Sequence, residues 1–363
     1  MPENQKTLVV CPIGLGNFIM MTPAMEHLNR HLGRENLHLL SLKPSIRQMG
    51  EETGYFSRIH HWDPDSESIA RGLVALRALR RERYRRLVSL FPSPNRMGNV
   101  YAWLTGAEER IGFQYPHSRL PARLHTTAIP LDLAAHDVDQ NLGLAAEVTG
   151  RPAHPPGQPI YPIPITHPQQ DALQEADYFI CHPGSSPDRG MDLKRLPTQS
   201  YALLIERIHA EFGYRCLLAG GPEEEELRQA VRGSVQPECL LQISSASLSE
   251  LGCLILNARF FLGNDAGLMH IAAAQDRPCI AFFGPTDDLR SGPYDHRESA
   301  DGPPLHLVLR DPGLSCTPCW TLRNVGTRPP CQYGDVRCLT QMDMEWAWTR
   351  IREFIANLSH AKI

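Results

Sequence analysis

The chain has 363 residues, 42% of them hydrophobic and 21% charged, with a net charge of −4. That length favours two domains over one, the composition is that of a globular protein, and the charge offers no general attraction to nucleic acid. No stretch is apolar for long enough to cross a bilayer. The polar N-terminus runs straight into an apolar strand with no secretory signal, so the ten cysteines read as reduced, cytoplasmic thiols.

In chain order, strand and helix patterns alternate. Thr7 to Cys11 reads as a strand, followed by a Gly-containing turn and a helix from about Pro23 to His31. Leu37 to Leu42 is the next strand. An Arg-rich helix pattern covers about Glu67 to Arg86, with Ile69, Leu73, Leu76 and Leu79 at helical spacing as its buried face. Leu87 to Phe91 is a strand, and Asp139 to Thr149 a helix closed by Gly150. Arg151 to Pro168 holds seven prolines and reads as a stiff linker.

The second half restarts the scheme. Tyr178 to Cys181 is a strand that ends in the loop His182-Pro183-Gly184-Ser185-Ser186. Thr198 to Phe212 is an amphipathic helix closed by Gly213, and Arg215 to Ala219 a strand. Gly220-Gly221-Pro222 then turns into an acidic helix start at Glu223. Ser247-Leu248-Ser249-Glu250 is a capping box that opens another helix. The alternation implies an α/β fold with parallel sheets covered on both faces. Two Rossmann-like domains are expected, at 1–160 and 169–342, with a terminal helix at 343–363.

The most informative segment runs from Phe261 to Ala274, where an apolar strand turns through Gly263-Asn264-Asp265-Ala266-Gly267 into an Ala-rich helix. The backbone N–H groups of Ala266, Gly267 and Leu268 stand at the positive end of that helix, where a phosphate is bound without a basic side chain. Cys279 to Phe283 is a second strand, ending in Gly284-Pro285-Thr286-Asp287. Adjacent strand ends with polar loops form the rim of a nucleotide site in an open α/β sheet. A dehydrogenase is disfavoured, because Gly14-Leu15-Gly16 lacks the third glycine of the dinucleotide fingerprint.

These blocks resemble glycosyltransferase family 9, the family of the ADP-heptose:lipopolysaccharide heptosyltransferases. Ile13-Gly14-Leu15-Gly16-Asn17 with Thr22-Pro23-Ala24 is similar to its N-terminal signature. Arg110-Ile111-Gly112-Phe113 and His136 with Asn141-Leu142 are similar to its middle landmarks. His182-Pro183-Gly184-Ser185, Lys194-Arg195-Leu196-Pro197, Asn264-Asp265-Ala266-Gly267 with His270, and Gly284-Pro285-Thr286-Asp287 are similar to its later blocks. The resemblance implies a GT-B architecture of two Rossmann-like domains, acceptor on the first and donor on the second, with the terminal helix crossing back to the first. It implies inverting, metal-independent transfer of a sugar, ADP-linked heptose above all, to a lipopolysaccharide core or other bacterial surface glycan. No cofactor or nucleic acid is implied. The partners are the nucleotide-sugar and an anionic glycolipid or glycan, with peripheral contact at the inner membrane.

On that resemblance Asn17, Lys194 and Asp265 are the catalytic candidates. Ser185, Ser186, Glu223, Ala266, Gly267, Leu268, His270 and Thr286 are donor-side candidates, and Arg96 and His136 acceptor-side ones. Each has a plainer reading: Lys194 as a surface charge, Glu223 as a helix-start acid, His182 as a loop histidine, His270 as a packed histidine. The main departure is Asn17, where the family usually has Asp as proposed general base. A carboxamide does not accept a proton at neutral pH, and a general base contributes roughly 10²–10⁴-fold. Either Asn17 orients an acceptor while His136 or Asp139 takes the proton, or the acceptor differs, or the protein binds nucleotide-sugar without turnover. An epimerase is a further alternative. Ala266 also replaces the usual Ser or Thr, and Leu196 the usual Trp.

The basic face of the helix pattern at Arg71 to Arg86 is read either as attraction to an anionic membrane or glycolipid or as an ordinary solvated face. Cys316, Cys319, Cys331 and Cys338 are a candidate structural zinc set, with unligated buried thiols as the default.

Overall fold

The computed structural model describes residues 5–11, 14–63, 66–92, 96–115, 124–154, 157–164, 177–186, 188–241, 246–297, 304–321 and 330–360, with no side-chain description at 96–99, 188, 189, 359 and 360. Internal contacts divide the chain into two compact units, 1–163 with 296–298 and 321–328, and 164–295 with 299–320 and 329–363. The first division falls inside the Pro-rich segment.

In the first unit β1 (Thr7–Cys11), β2 (Leu37–Ser41), β3 (Arg58–His61), β4 (Arg86–Ser89), β5 (Glu109–Gln114) and β6 (Thr127–Pro130) form one sheet in the order β3-β2-β1-β4-β5-β6. Every pairing among the described residues of this sheet is parallel. β1 and β2 are buried along their whole length, as strands covered on both faces must be. The edge strand β3 is Arg-Ile-His-His and carries no apolar run, so its sequence gives no strand signal.

The helices of this unit are α1 (Leu15–Leu32), α2 (Pro44–Thr53), α3 (Ile69–Glu82), α4 (Arg96–Leu104) and α5 (Asp137–Thr149). α1 begins at Leu15 and not near Pro23, because Pro23 lies inside the helix instead of opening it. A proline there deprives the carbonyl four residues back of its donor. The Thr22 hydroxyl supplies the replacement, donating to the Ile19 carbonyl at 2.7 Å while accepting from the Ile160 N–H at 2.9 Å.

α3 is shorter than expected, and its buried face is different. Gly72, Leu76 and Leu79 are buried, whereas Ile69 is 81% and Leu73 56% exposed. The seat is set by Trp62, whose ring would lie 2.7 Å from a Cβ at position 72. Only glycine fits against that ring, so the helix rests on Gly72 and turns Ile69 and Leu73 outward.

The second unit repeats the plan. β7 (Tyr178–His182), β8 (Arg215–Leu218), β9 (Leu240–Leu241), β10 (Phe261–Asn264), β11 (Cys279–Phe282) and β12 (His306–Leu309) lie in the order β12-β11-β10-β7-β8-β9, again with parallel pairings among the described residues. Counted from β7 this is the same 3-2-1-4-5-6 order as in the first sheet. Its helices are α6 (Thr198–Phe212), α7 (Glu225–Arg232), α8 (Leu248–Asn257), α9 (Gly267–Ala274) and α10 (Met344–His360). α6 ends at Gly213 in the left-handed region, at φ 74°. The capping box forms, with the Glu250 N–H donating to Ser247 Oγ at 3.2 Å and the Ser247 N–H to Glu250 Oε2 at 2.8 Å.

α10 contributes Ala347, Ile351, Phe354 and Ile355 to the core of the second unit, together with Ile205, Ile208 and Leu307. α10 thus belongs to the second unit. Among the described residues no helix is long and apolar enough to cross a membrane.

Burial lowers the pKa of His38, His125 and His270 from 6.5 to about 4. Between those values the unfolded chain takes up protons that the folded chain refuses, so stability is full above pH 6.5 and declines as pH falls towards 4. Denaturant midpoints should drop steadily through that window, and a His125→Asn variant should flatten the decline.

Candidate functional site

In each sheet the strand order reverses once, between β1 and β4 in the first and between β7 and β10 in the second. Chains leaving two such strands go to opposite faces, and the gap beyond their carboxyl ends is where α/β sheets bind ligands. Asn17 follows β1 and Arg96 follows β4. The His182–Ser186 loop follows β7, and Asp265 follows β10. Sequence candidates from distant positions therefore converge on the switch point of their own unit.

In the second unit the centre is Asn264, fully buried at the end of β10. Its Oδ1 accepts from the Leu196 N–H at 2.9 Å and the Tyr201 hydroxyl at 2.8 Å, and its Nδ2 donates to the carbonyls of Pro183 at 2.9 Å and Gly184 at 3.2 Å. One side chain thus ties β10 to the loop after β7, to the Lys-Arg-Leu-Pro segment and to α6.

Lys194, placed by that tether, reaches Asp265 with Nζ 3.0 Å from Oδ2, and the two side chains are 12% and 8% exposed. Burial, the largest influence, opposes ionisation of Asp265, but Lys194, His270 and Thr286 together outweigh it and hold the carboxyl below its usual range. His270, one turn into α9, is neutral, because burial and Lys194 together outweigh the pull of Asp265. Its packed reading fits this burial. No side chain caps α9: Ala266 is extended at φ −149° and ψ 168°, and Asp265 is turned to Lys194. The first N–H groups of α9 therefore face the switch point with the helix dipole behind them. The Thr286 hydroxyl after β11 is buried and lies beside the Asp265 carboxyl, which it helps to hold ionised.

Several expectations change. Ser185 is not an available phosphate donor: its single proton goes to the Met191 carbonyl at 2.8 Å, and its oxygen accepts from Arg195 Nε at 3.1 Å. It fixes the loop; Ser186 beside it is exposed. The acid at the strand end is Glu224 and not Glu223. Pro222 opens a tight 3-10 turn that directs Glu224 inward and leaves Glu223 exposed. Glu224 accepts from the Gly221 N–H at 2.8 Å and pairs with His182 Nε2 at 3.0 Å. Burial, the largest influence, works against its ionisation, but His182, the Gly221 N–H and Arg195 together outweigh it and lower its pKa. A Cβ on Gly184 would lie 2.0 Å from this carboxylate, so the glycine of His-Pro-Gly makes its room. The run of four glutamates hides which is structural, and only the turn geometry picks it out.

In the first unit Asn17 is half-buried in the opening turn of α1, whose N-cap Gly14 carries no side-chain cap. The preceding Ile13 and the Arg96 side chain lie outside the described residues. His136 caps α5, its Nδ1 accepting from the Val138 N–H at 3.1 Å. The proton of the neutral ring then sits on Nε2, so His136 is no proton acceptor. The buried Asn141 accepts from the Phe91 N–H at 2.7 Å and donates to the Phe91 carbonyl at 3.0 Å, tethering the chain after β4.

Cys316, Cys319, Cys331 and Cys338 are free thiols, and among the described residues no three His, Cys, Asp or Glu side chains are grouped to hold a metal. Cys319 donates its N–H to the Pro285 carbonyl at 3.0 Å, and Cys338 is buried beside Gly284. Burial and then the neighbouring thiols push Cys338 up to about 11.

The family model described as glycosyltransferase family 9 (heptosyltransferase) matches residues 75–302. The chain belongs to glycosyltransferase family 9. Lipopolysaccharide heptosyltransferase 3 of Escherichia coli is 23% identical over 287 residues, which span 77% of this chain and 83% of that protein. A family 9 glycosyl transferase from Veillonella parvula superposes with a TM-score of 0.72 at 18% identity, covering 98% of this chain and 99% of its own. ADP-heptose lps heptosyltransferase II of Escherichia coli gives 0.69 at 18% identity, covering 98% and 100%. The fold is shared with both, a GT-B α/β architecture, and membership of family 9 makes this chain a glycosyltransferase.

Because four hydrogen bonds meet on Asn264, an Asn264→Ala variant should lose about 3 kcal/mol or more of unfolding free energy. Tyr201→Phe, which removes one of the four, should cost only about 1 kcal/mol. Urea unfolding of the two variants checks the difference.

Proposed function

We propose that this member of family 9 moves heptose, or a closely related sugar, from an ADP-linked donor to an anionic lipopolysaccharide-core glycan with inversion at the anomeric carbon. The uncapped N-terminus of α9, at a switch point beside the Lys194–Asp265 pair, carries the reading. The nature of the donor and acceptor rests on the similar proteins, whose names specify ADP-heptose and lipopolysaccharide.

In this reading the N–H groups of Gly267 and Leu268 and the Lys194 ammonium stabilise the diphosphate as the sugar–phosphate bond breaks. Asp265 holds Lys194 in place. Glu224, an ionised acceptor beyond β8 that is paired with His182 at the end of β7, takes the ribose hydroxyls in place of the donor-side candidate Glu223. Thr286 offers its buried hydroxyl to the same anion. On the acceptor side Asn17 orients the attacking hydroxyl through its carboxamide, and Arg96 attracts acidic groups of the glycan. His136, with its Nε2 proton, acts as a donor to the acceptor and not as a base. The acceptor proton leaves to water as the new C–O bond forms, without the roughly 10²–10⁴-fold help of a general base. The enzyme would work at the cytoplasmic face of the inner membrane.

Asn17 also favours a second reading, a nucleotide-sugar binder without turnover. A thermal-shift panel of ADP-, GDP-, UDP- and dTDP-sugars tests both: the ADP-sugar should raise the melting temperature by mass action. No shift with any of them removes the donor site altogether. Asn17→Asp should raise transfer by ten-fold or more, a figure of the order a general base supplies, whereas a silent binder stays silent.

Lys194→Ala leaves a buried carboxylate unpaired and should cost about 3–5 kcal/mol of stability as well as activity. The double variant Lys194→Met/Asp265→Asn should recover most of the stability and none of the transfer. Recovery of both would show that the pair is only structural. Chelation of divalent metal should leave the initial rate unchanged.

A further inference from the structure

We infer that α3 is a membrane-docking helix, which lies on an anionic lipid surface with its first two turns dipping into the interface and its later arginines on the headgroups. This goes beyond the transfer reaction and holds whichever sugar is moved.

The argument begins with what α3 leaves uncovered. Seated on Gly72, Leu76 and Leu79, the helix exposes Ile69 (81%), Leu73 (56%) and Val74 (61%), with Ala70 exposed among them. Three large aliphatic side chains within six residues are not the scattered apolar exposure of an ordinary surface. Further along the same helix come Arg77, Arg80 and Arg81, all exposed. Among the described residues these three form no ion pair. The nearest acid on the helix, Glu82, is already paired with Lys6 at 2.7 Å and with Arg58. At 100° per residue, Ile69, Arg80, Leu73, Arg77, Arg81 and Val74 form one continuous arc of about 140°, which starts beside Leu76 and ends opposite the Leu76–Leu79 side.

Arg77 with Arg80 and Arg77 with Arg81 are like-charge neighbours at helical spacing, which disfavour the isolated helix. A negatively charged surface relieves that repulsion while the aliphatic turns leave water. An apolar strip continuous with unpaired cations is the pattern of helices that lie in a bilayer interface. The net charge of the whole chain is −4, so the attraction is local to this helix. An apolar protein groove would suit Ile69, Leu73 and Val74 but not the unpaired arginines; a lipid surface that is both anionic and apolar suits both.

The test is co-sedimentation of the full chain with vesicles of phosphatidylethanolamine and phosphatidylglycerol, against vesicles of phosphatidylcholine alone. The protein should pellet with the anionic vesicles only, and less as salt rises. An Arg77→Gln/Arg80→Gln/Arg81→Gln variant should bind on the order of a hundredfold more weakly, at about fivefold per arginine. An Ile69→Ser/Leu73→Ser/Val74→Ser variant should lose binding while its melting temperature stays close to the parent's, since these side chains are exposed. Leu73→Ser alone should give a smaller loss in the same direction. Failure of the parent to pellet, or binding that survives both triple variants, overturns the inference. Nucleotide-sugar binding by thermal shift, run on the same proteins, should be unchanged, so a failure here is separable from a failure of the transferase reading.

Discussion

The second unit depends on one carboxamide. Asn264 lies where β10 ends, and a charged or apolar residue there would leave four backbone and side-chain groups without partners in the interior. A carboxamide has both donor and acceptor faces, so it can hold the loop after β7 with one and the Lys-Arg-Leu-Pro segment with the other. Everything at the switch point is placed by that arrangement: Lys194 through Leu196, and the His182–Glu224 pair through Gly184. The first unit uses the same device on its own loop, with Asn141 clasping Phe91 after β4. Both units share a strand order, and each uses a buried asparagine to tether the chain that leaves a strand beside its switch point, β4 in the first and β7 in the second.

What the amino-acid pattern made legible was periodic or punctuated. Buried parallel strands such as β1 and β10 are continuous apolar runs. Gly213 and Ser247 mark helix ends by conformations and hydrogen bonds that local chemistry dictates. The alternation of these elements was enough to expect two parallel sheets. The asparagine-aspartate turn into α9 was legible for a similar reason, since an apolar strand meeting a small-residue helix leaves few other geometries.

What was not legible depended on partners distant in sequence. Pro23 looks like a helix start because the rule concerns a missing N–H, and only the Thr22 hydroxyl and the chain at Ile160 let it sit within α1. Ile69 and Leu73 have the spacing of a buried stripe, yet Trp62 decides which side of α3 goes down. Glu223 and Glu224 are indistinguishable by type, and a 3-10 turn separates them by direction. His136 and Ser185 carry suitable chemistry at suitable places, but their lone pairs and protons are already committed. Side-chain availability is a property of the folded neighbourhood and leaves little trace in a residue string.

The Lys194–Asp265 contact has a consequence for the catalytic cycle. A lysine waiting alone would gather any small anion from the medium and would hold a spent diphosphate tightly. Here its charge is balanced beforehand by a carboxylate of the same site. In the transfer proposed above, the donor would meet a locally balanced pair of charges, with the oriented peptide dipoles of α9 answering the negative charge that builds as the sugar–phosphate bond breaks. The carboxylate would then be on hand to reclaim the ammonium and let the nucleotide go.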